Sequence, residues 1–345
     1  MRTDARSIDP HPALWWREEK GRVVCTLCPR TCALREGQSG FCFIRRNQGG
    51  ELVSLGYGRP TGFGVDPVEK KPLNHFLPGT SILSFGTAGC NLGCKFCQNW
   101  TTTKAKADAV RTKRVTPEEV VRIAIDEGCG SIAYTYNDPV IFGEFVIDVS
   151  RLARAEGLKN VLVTAGYVTE EARADVFRFA DAANVDLKAF TDAFYKKYSL
   201  ARIEPVKETL LWIRRETSVW LEITTLLIPG LNDSQEEIRA ECAWIRQNLG
   251  AGTPLHFTAF HPDYRMNHLP PTPHATLRRA RSIAMEEGLQ FVYVGNVLDA
   301  EGQTTSCPGC GAVLIERDWH SVRANRLREG ACPDCGTRIL GVWTS

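Results

Sequence analysis

Three cysteines fall within one short loop-like stretch, Cys90, Cys94 and Cys97 in GCNLGCKFCQNW (89–100), at the spacing C-x3-C-x2-C. Three thiols cannot all close into disulfides, and they are one short of a closed tetrahedral metal site. A [4Fe–4S] cluster bound by three thiolates keeps one iron open to a further ligand. Catalytic zinc also takes three protein ligands plus water, but histidine or carboxylate usually stands among them. An all-cysteine trio this tightly packed favours the cluster. The bland reading is a closed site completed by a distant cysteine.

Two more cysteine groups flank it. Cys307, Cys310, Cys332 and Cys335 form paired C-x2-C knuckles, each followed by glycine. This is the spacing of a zinc ribbon, with rubredoxin-type iron possible in the same ligand set. His320 lies between the knuckles, but four thiols already close the site. Cys25, Cys28, Cys32 and Cys42 read C-x2-C-x3-C-x9-C. Four thiols so close imply a metal, yet the spacing matches neither a common zinc ribbon nor a two-cluster ferredoxin run. Structural zinc and an auxiliary cluster for electron relay both stay open. Cys129 and Cys242 stand alone in apolar helical patterns and read as small buried hydrophobes.

The chain has 345 residues and 13 cysteines. In a reducing cytosol cysteines grouped in this way are metal ligands rather than disulfides. Net charge is +2, from 42 basic and 40 acidic residues, which gives no reason to expect a nucleic-acid partner or an acidic membrane. The ribbon's Arg317, Arg323, Arg326, Arg328 and Arg338 are too evenly matched by acids to indicate RNA. The first residues carry no apolar signal-peptide core, and no run is long enough to span a bilayer, so the expectation is a cytoplasmic protein without membrane contact.

The elements that must position these cysteines alternate. Strand-like runs at 81–86, 131–136, 159–166, 183–190, 219–230, 254–260 and 290–296 are separated by helical patterns, among them TPEEVVRIAIDEGCG (116–130), whose Thr116 and Glu119 make a capping box. Seven apolar strands joined by helices predict a parallel sheet covered by helices: a partial or complete parallel (β/α) barrel, with a doubly wound open sheet as runner-up. The expected organisation is an N-terminal extension with a Cys-rich metal knuckle (1–78), a barrel core (79–299) and a C-terminal zinc-ribbon-like module (300–345), with AEGQTTS (300–306) as a linker. Cys90, Cys94 and Cys97 directly follow the first of the seven strands, where β/α architectures place their chemistry.

GCNLGCKFCQNW resembles the signature of the radical S-adenosylmethionine (radical SAM) enzymes, C-x3-C-x-aromatic-C, with Phe96 in the aromatic place. The likeness extends over nearly the whole chain. It is nearest to the activase-like branch that contains the pyruvate formate-lyase activating enzymes, and within it to the radical SAM enzyme of the AmmeMemoRadiSam system. LCPRTCALREGQSGFC (27–42), EKKPLNHFLPGTS (69–81), YTYNDP (134–139), TAGYVTEEA (164–172), VDLKAF (185–190), LLIPGLND (226–233), HFTAFHPDYRM (256–266) and VYVGNV (292–297) carry it.

The resemblance implies a [4Fe–4S] cluster on Cys90, Cys94 and Cys97 that binds S-adenosylmethionine (SAM) at its open iron and cleaves it reductively. The resulting 5′-deoxyadenosyl radical takes hydrogen from an unidentified substrate. It also implies a one-electron donor of flavodoxin or ferredoxin type, and a protein substrate or AmmeMemoRadiSam partner proteins. Carried over residue by residue, Asn137 and Asp138 match the region that holds the SAM amino group, although Asp138 replaces the family's usual glutamate; both also suit a helix cap before Pro139. Gly166 would let backbone approach the cofactor, while Ala165 lacks the amide that relatives carry there. Asp186 and Lys188 match the activase Asp-Leu-Lys and are expected on one inward face, for cofactor or substrate contact or as a structural ion pair. Glu222 invites the same argument, whereas His261 reads as structural. The rival activity is activation of a glycyl-radical enzyme. A metal-ribbon scaffold or redox sensor without catalysis is the reading from another class.

Overall fold

The computed structural model describes residues 10–106, 109–110 and 112–344. Its central sheet has eight strands in the order Val292–Gly295, Leu255–Ala259, Trp220–Leu227, Ala182–Asp186, Lys159–Thr164, Ser131–Tyr134, Ser81–Gly86 and Thr61–Pro67. Each strand neighbours the next in sequence. There is no point where the order reverses, so the doubly wound sheet is excluded and the order is that of a partial β/α barrel. Parallel registers run Lys159 to Ser131, Ala182 to Trp220, Ile223 to Leu255 and Leu255 to Val292.

Local signals explain most element ends. Thr116 and Glu119 exchange side-chain-to-backbone hydrogen bonds at 3.3 and 2.7 Å, and Pro117 opens the helix Pro117–Asp126. The helical run after residue 139 divides. Pro139–Phe142 is a 3-10 turn capped by the Asp138 side chain, and the α-helix proper is Gly143–Ala155. Two elements depart from the sequence expectation. The strand Ala182–Asp186 stops at Asp186, so Lys188 lies in the loop beyond it. Residues 300–306 are not a linker: Ala300–Gln303 is a helical turn capped by Asp299, and Thr305–Ser306 joins the ribbon sheet. Asp299 accepts from both His274 and Arg278, which pins this turn in place.

The chain forms two compact units, residues 1–65, 83–93 and 98–180 in the first and 66–82, 94–97 and 181–345 in the second. In the first, the hairpin Arg45–Gln48 with Glu51–Ser54 and the strands Trp16–Glu19, Arg22–Cys25 and Ala33–Leu34 build the N-terminal cysteine region. It is anchored by a buried ion pair. The Arg45 guanidinium donates to both Glu144 carboxylate oxygens (2.8 and 3.0 Å) and to the Leu14 carbonyl, while Leu14 N–H donates back to Glu144. In the second unit the ribbon strands Val313–Asp318 and Ser321–Asn325 pair antiparallel, and Phe291, Tyr293, Leu314, Ile315 and Ile339 form its core with Cys307 and Cys332. Cys129 and Cys242 are buried hydrophobes, as expected.

Candidate functional site

The loop after Ser81–Gly86 is held by different elements along its length. Its first half belongs to the first unit. A Cβ on Gly86 would stand 2.3 Å from the Thr135 carbonyl, so only glycine lets the strand end run this close to its neighbour. Asn137 uses its whole amide here: its Oδ1 accepts from Thr87 N–H (3.1 Å) and its Nδ2 donates to Thr87 Oγ1 and the Gly89 carbonyl (both 2.9 Å). The Gly89 N–H donates to Thr102 O (3.0 Å), and Lys104 Nζ donates to Leu92 O (2.8 Å). Beside Cys90, Asn91 donates to the Tyr167 carbonyl (2.9 Å) and its own carbonyl accepts from the Arg30 guanidinium, which lies 3.5 Å over the Phe41 ring.

The second half belongs to the second unit. Lys95 N–H donates to Tyr198 O (2.8 Å), and Lys95 O accepts from Arg265 N–H (3.0 Å). Phe96 is buried against Phe194, with ring centroids 5.7 Å apart. Lys188 and Asp186 form an ion pair at 2.6 Å, half-buried, and the Lys188 N–H donates to the Tyr195 hydroxyl (3.0 Å). Burial works against the Lys188 charge, but Asp186 and the Cys94 sulfur outweigh it, so its pKa lies above that of an ordinary lysine. The Tyr195 hydroxyl is driven up by burial. A permanent cation beside Cys94 suits an anionic thiolate centre, because it offsets charge that the buried site disfavours.

Other expected residues fall in varied places. Asp138 caps the turn at Val140 and accepts from Thr164 Oγ1 (2.7 Å), so the helix-cap reading of YTYNDP describes its contacts. Gly166 has a positive φ of 63°, and its N–H donates to Thr164 Oγ1. Asn232 of LLIPGLND donates to the Lys188 and Leu226 carbonyls and accepts from Ile228 N–H, closing its loop and fixing the one after Asp186. Glu222 is a buried structural hub: it accepts from the backbone of Asn74 and His75, from Trp220 Nε1 and from His256. His261 is exposed.

The C-terminal cysteines fit a metal ion. Among the described residues, Cys307, Cys310, Cys332 and Cys335 are the group whose ligand atoms all lie within 4.8 Å of one another. The Cys307–Cys335 and Cys310–Cys332 sulfurs are 3.5 and 3.7 Å apart. Gly309 N–H points at Cys307 Sγ (3.4 Å), the amide-to-sulfur contact of a tight knuckle. Cys25, Cys28, Cys32 and Cys42 line one cavity with Arg30, Phe41 and Arg45.

Three residues went unremarked in the sequence, and a fourth is placed differently. Arg30 and Arg45 border the N-terminal cysteines, and Tyr195 borders Lys188. Arg317, counted above among the ribbon's arginines, is buried, donating to the Asn74 and Gln303 carbonyls (2.7 and 3.1 Å) and pairing with Glu69. Only Arg30 had a signal, its place inside the first cysteine run.

Comparison with known proteins agrees with this layout. The model of the radical SAM superfamily matches residues 85–242. An uncharacterised protein of Methanocaldococcus jannaschii is 42% identical over 323 residues, covering 93% of this chain and 96% of that one. The pyruvate formate-lyase-activating enzyme of Clostridium pasteurianum is 25% identical over 169 residues, 47% of this chain and 68% of its own. Among solved structures, a radical SAM methyltransferase from Sphaerobacter thermophilus superposes with a TM-score of 0.51 at 18% identity, over 64% of this chain and 68% of that one.

Proposed function

Because the chain belongs to the radical SAM superfamily and is an enzyme of that kind, we propose that its site is the cysteine loop with Lys188 and Asp186 beside Cys94. Cys90, Cys94 and Cys97 would hold the [4Fe–4S] cluster and SAM that the superfamily implies. When bound, that pair supplies a 5′-deoxyadenosyl radical able to take hydrogen from a substrate carbon. The chain's own residues fix and shield the place. Gly86 and Asn137 set the strand end, Phe96 anchors the second half of the loop, and Lys188 balances thiolate charge. The observation that carries this reading is Lys188, a half-buried cation paired to Asp186 at 2.6 Å, whose charge the Cys94 sulfur also favours.

A one-electron donor of flavodoxin or ferredoxin type is needed. The substrate is a molecule or protein handled with the AmmeMemoRadiSam partner proteins. The rival is a glycyl-radical enzyme, by analogy with the Clostridium relative. An adjacent gene for a protein with a glycyl-radical loop would favour the rival. Zinc in the ribbon agrees with the 3.5 and 3.7 Å sulfur pairs. A cytoplasmic location agrees with the many grouped thiols, and no helix among the described residues is long and apolar enough to cross a membrane.

The test is 5′-deoxyadenosine formation by anaerobically purified protein given SAM and dithionite. The wild type is expected to form it and Cys94→Ala is not. Formation by Cys94→Ala would remove the assignment.

A further inference from the structure

We infer that Cys25, Cys28, Cys32 and Cys42 hold a second iron–sulfur cluster, of [4Fe–4S] type, rather than zinc. The ribbon supplies the internal standard. With Zn–S bonds of about 2.3 Å, a tetrahedral ion sets its sulfurs just under ~4 Å apart. The ribbon sulfurs show that spacing at 3.5 and 3.7 Å. The N-terminal four line a single cavity, so they face one centre. Yet among the described residues only the ribbon group draws its sulfurs within 4.8 Å of one another. Thiols that share a centre but stand wider than one ion allows match a cubane, whose ligands sit on separate irons.

The surroundings point the same way. A zinc knuckle tolerates water, and Cys310 and Cys335 of the ribbon are exposed. Cys25 and Cys42 are buried, Cys28 and Cys32 half-buried, and Leu27 and Ile141 line the cavity with them. Two guanidiniums, Arg30 and Arg45, border the same cavity, Arg45 being shared with Glu144. Cationic and apolar cover of this kind tunes and protects a cluster of four thiolates.

The knuckle also braces the proposed active loop. A Cβ on Gly89 would lie 2.0 Å from the Cys42 carbonyl, and the Arg30 guanidinium holds the Asn91 carbonyl, so both neighbours of Cys90 rest on the cysteine knuckle. The use of this second cluster rests on the radical SAM reading, but its presence does not.

The experiment separates the two. The full chain and the triple variant Cys90→Ala/Cys94→Ala/Cys97→Ala are purified anaerobically from iron-replete cells. Iron, acid-labile sulfide and zinc are counted per chain, and electron paramagnetic resonance is recorded after dithionite, with and without SAM. The triple variant is expected to keep about four irons and about four sulfides, with about one zinc in the ribbon. Its reduced signal should ignore SAM. A triple variant with no iron and about two zincs overturns the inference. If the triple variant does not fold, Cys28→Ser/Cys32→Ser answers instead. It should lose half the wild-type iron, keep its zinc, and retain a SAM-responsive signal. Unchanged iron with zinc halved would overturn the inference. A wild-type signal indifferent to SAM would count against the radical SAM reading alone.

Discussion

The two four-cysteine regions use the same ligand type and build different sites with it. In the ribbon, two C-x2-C pairs face each other, Cys307 against Cys335 and Cys310 against Cys332, and their sulfurs stand at ion-binding distance, 3.5 and 3.7 Å. At the N-terminus only Cys25 and Cys28 have that spacing. Cys25 ends the strand Arg22–Cys25, Cys32 precedes Ala33–Leu34, and Cys42 lies just before Arg45–Gln48, so the sheets set where the thiols stand. Cys25 N–H donating to Cys32 O (3.0 Å) shows the strand pairing doing this. Two paired knuckles facing each other make a small, self-contained site. Cysteines spread singly over several strands make a site whose size is fixed by the fold around it.

The comparison breaks first at the metal. The ribbon core is a handful of side chains (Phe291, Tyr293, Leu314, Ile315 and Ile339 around Cys307 and Cys332), and a segment this small depends on its ion. Metal-linked folding of such modules is worth about 10 kcal/mol. Cys332→Ala is therefore expected to release the ribbon metal and open residues 305–340 to protease, while leaving the iron content unchanged. Metal analysis with limited proteolysis checks it. A protected ribbon without metal would show that Arg317 and its partners hold the module alone.

Glycines sharpen the contrast at a smaller scale. Gly89 and Gly336 both have φ near +80°, at 81° and 75°. A methyl at Gly336 would meet nothing within 4 Å, whereas at Gly89 it would strike the Cys42 carbonyl. Gly336→Ala should cost about 1 kcal/mol, the conformational term alone. Gly89→Ala should cost about 3 kcal/mol or more, because backbone must move. Chemical denaturation of the two variants gives both numbers, and equal losses would mean that the knuckle yields easily to the active loop.

Much of this was legible in the sequence because the signals were local. Capping boxes, apolar strands and C-x2-C pairs each lie within a few residues, and the strands came out in their expected order. What stayed hidden depends on distant partners. Asn137 matches a cofactor motif, but its amide is consumed by Thr87 and Gly89, some fifty residues away. Glu222 shares the inward-face argument made for Asp186 and Lys188, yet its carboxylate is satisfied by Asn74 and His75. Arg317 enters the sequence only as one of five ribbon arginines, and its partners lie in the segment 69–74 and in the turn 300–306. No spacing rule anticipates those pairings.

A further difference is expected in acid stability, and it should fall on the ribbon side. His75 is fully buried, its ring 5.1 Å from Trp343 of the ribbon end. The Leu340 carbonyl can only accept, so Nδ1 carries the hydrogen and Nε2 accepts from the Tyr293 hydroxyl. Burial holds the imidazole neutral and lowers its pKa to about 4, with the Glu222 charge opposing only in part. The unfolded chain takes this proton near ~6.5. Below that pH the unfolded state therefore binds more protons than the folded one, and stability falls as pH drops toward 4. Between pH 7 and pH 5 the loss should reach about 2 kcal/mol from His75. Denaturant midpoints of wild type and His75→Gln at the two pH values measure it. The variant starts less stable but should lose less on acidification. If both lose the same amount, His75 already shares its proton with the Glu222–His256 pair in the folded chain, and the ribbon side is no more acid-sensitive than the knuckle.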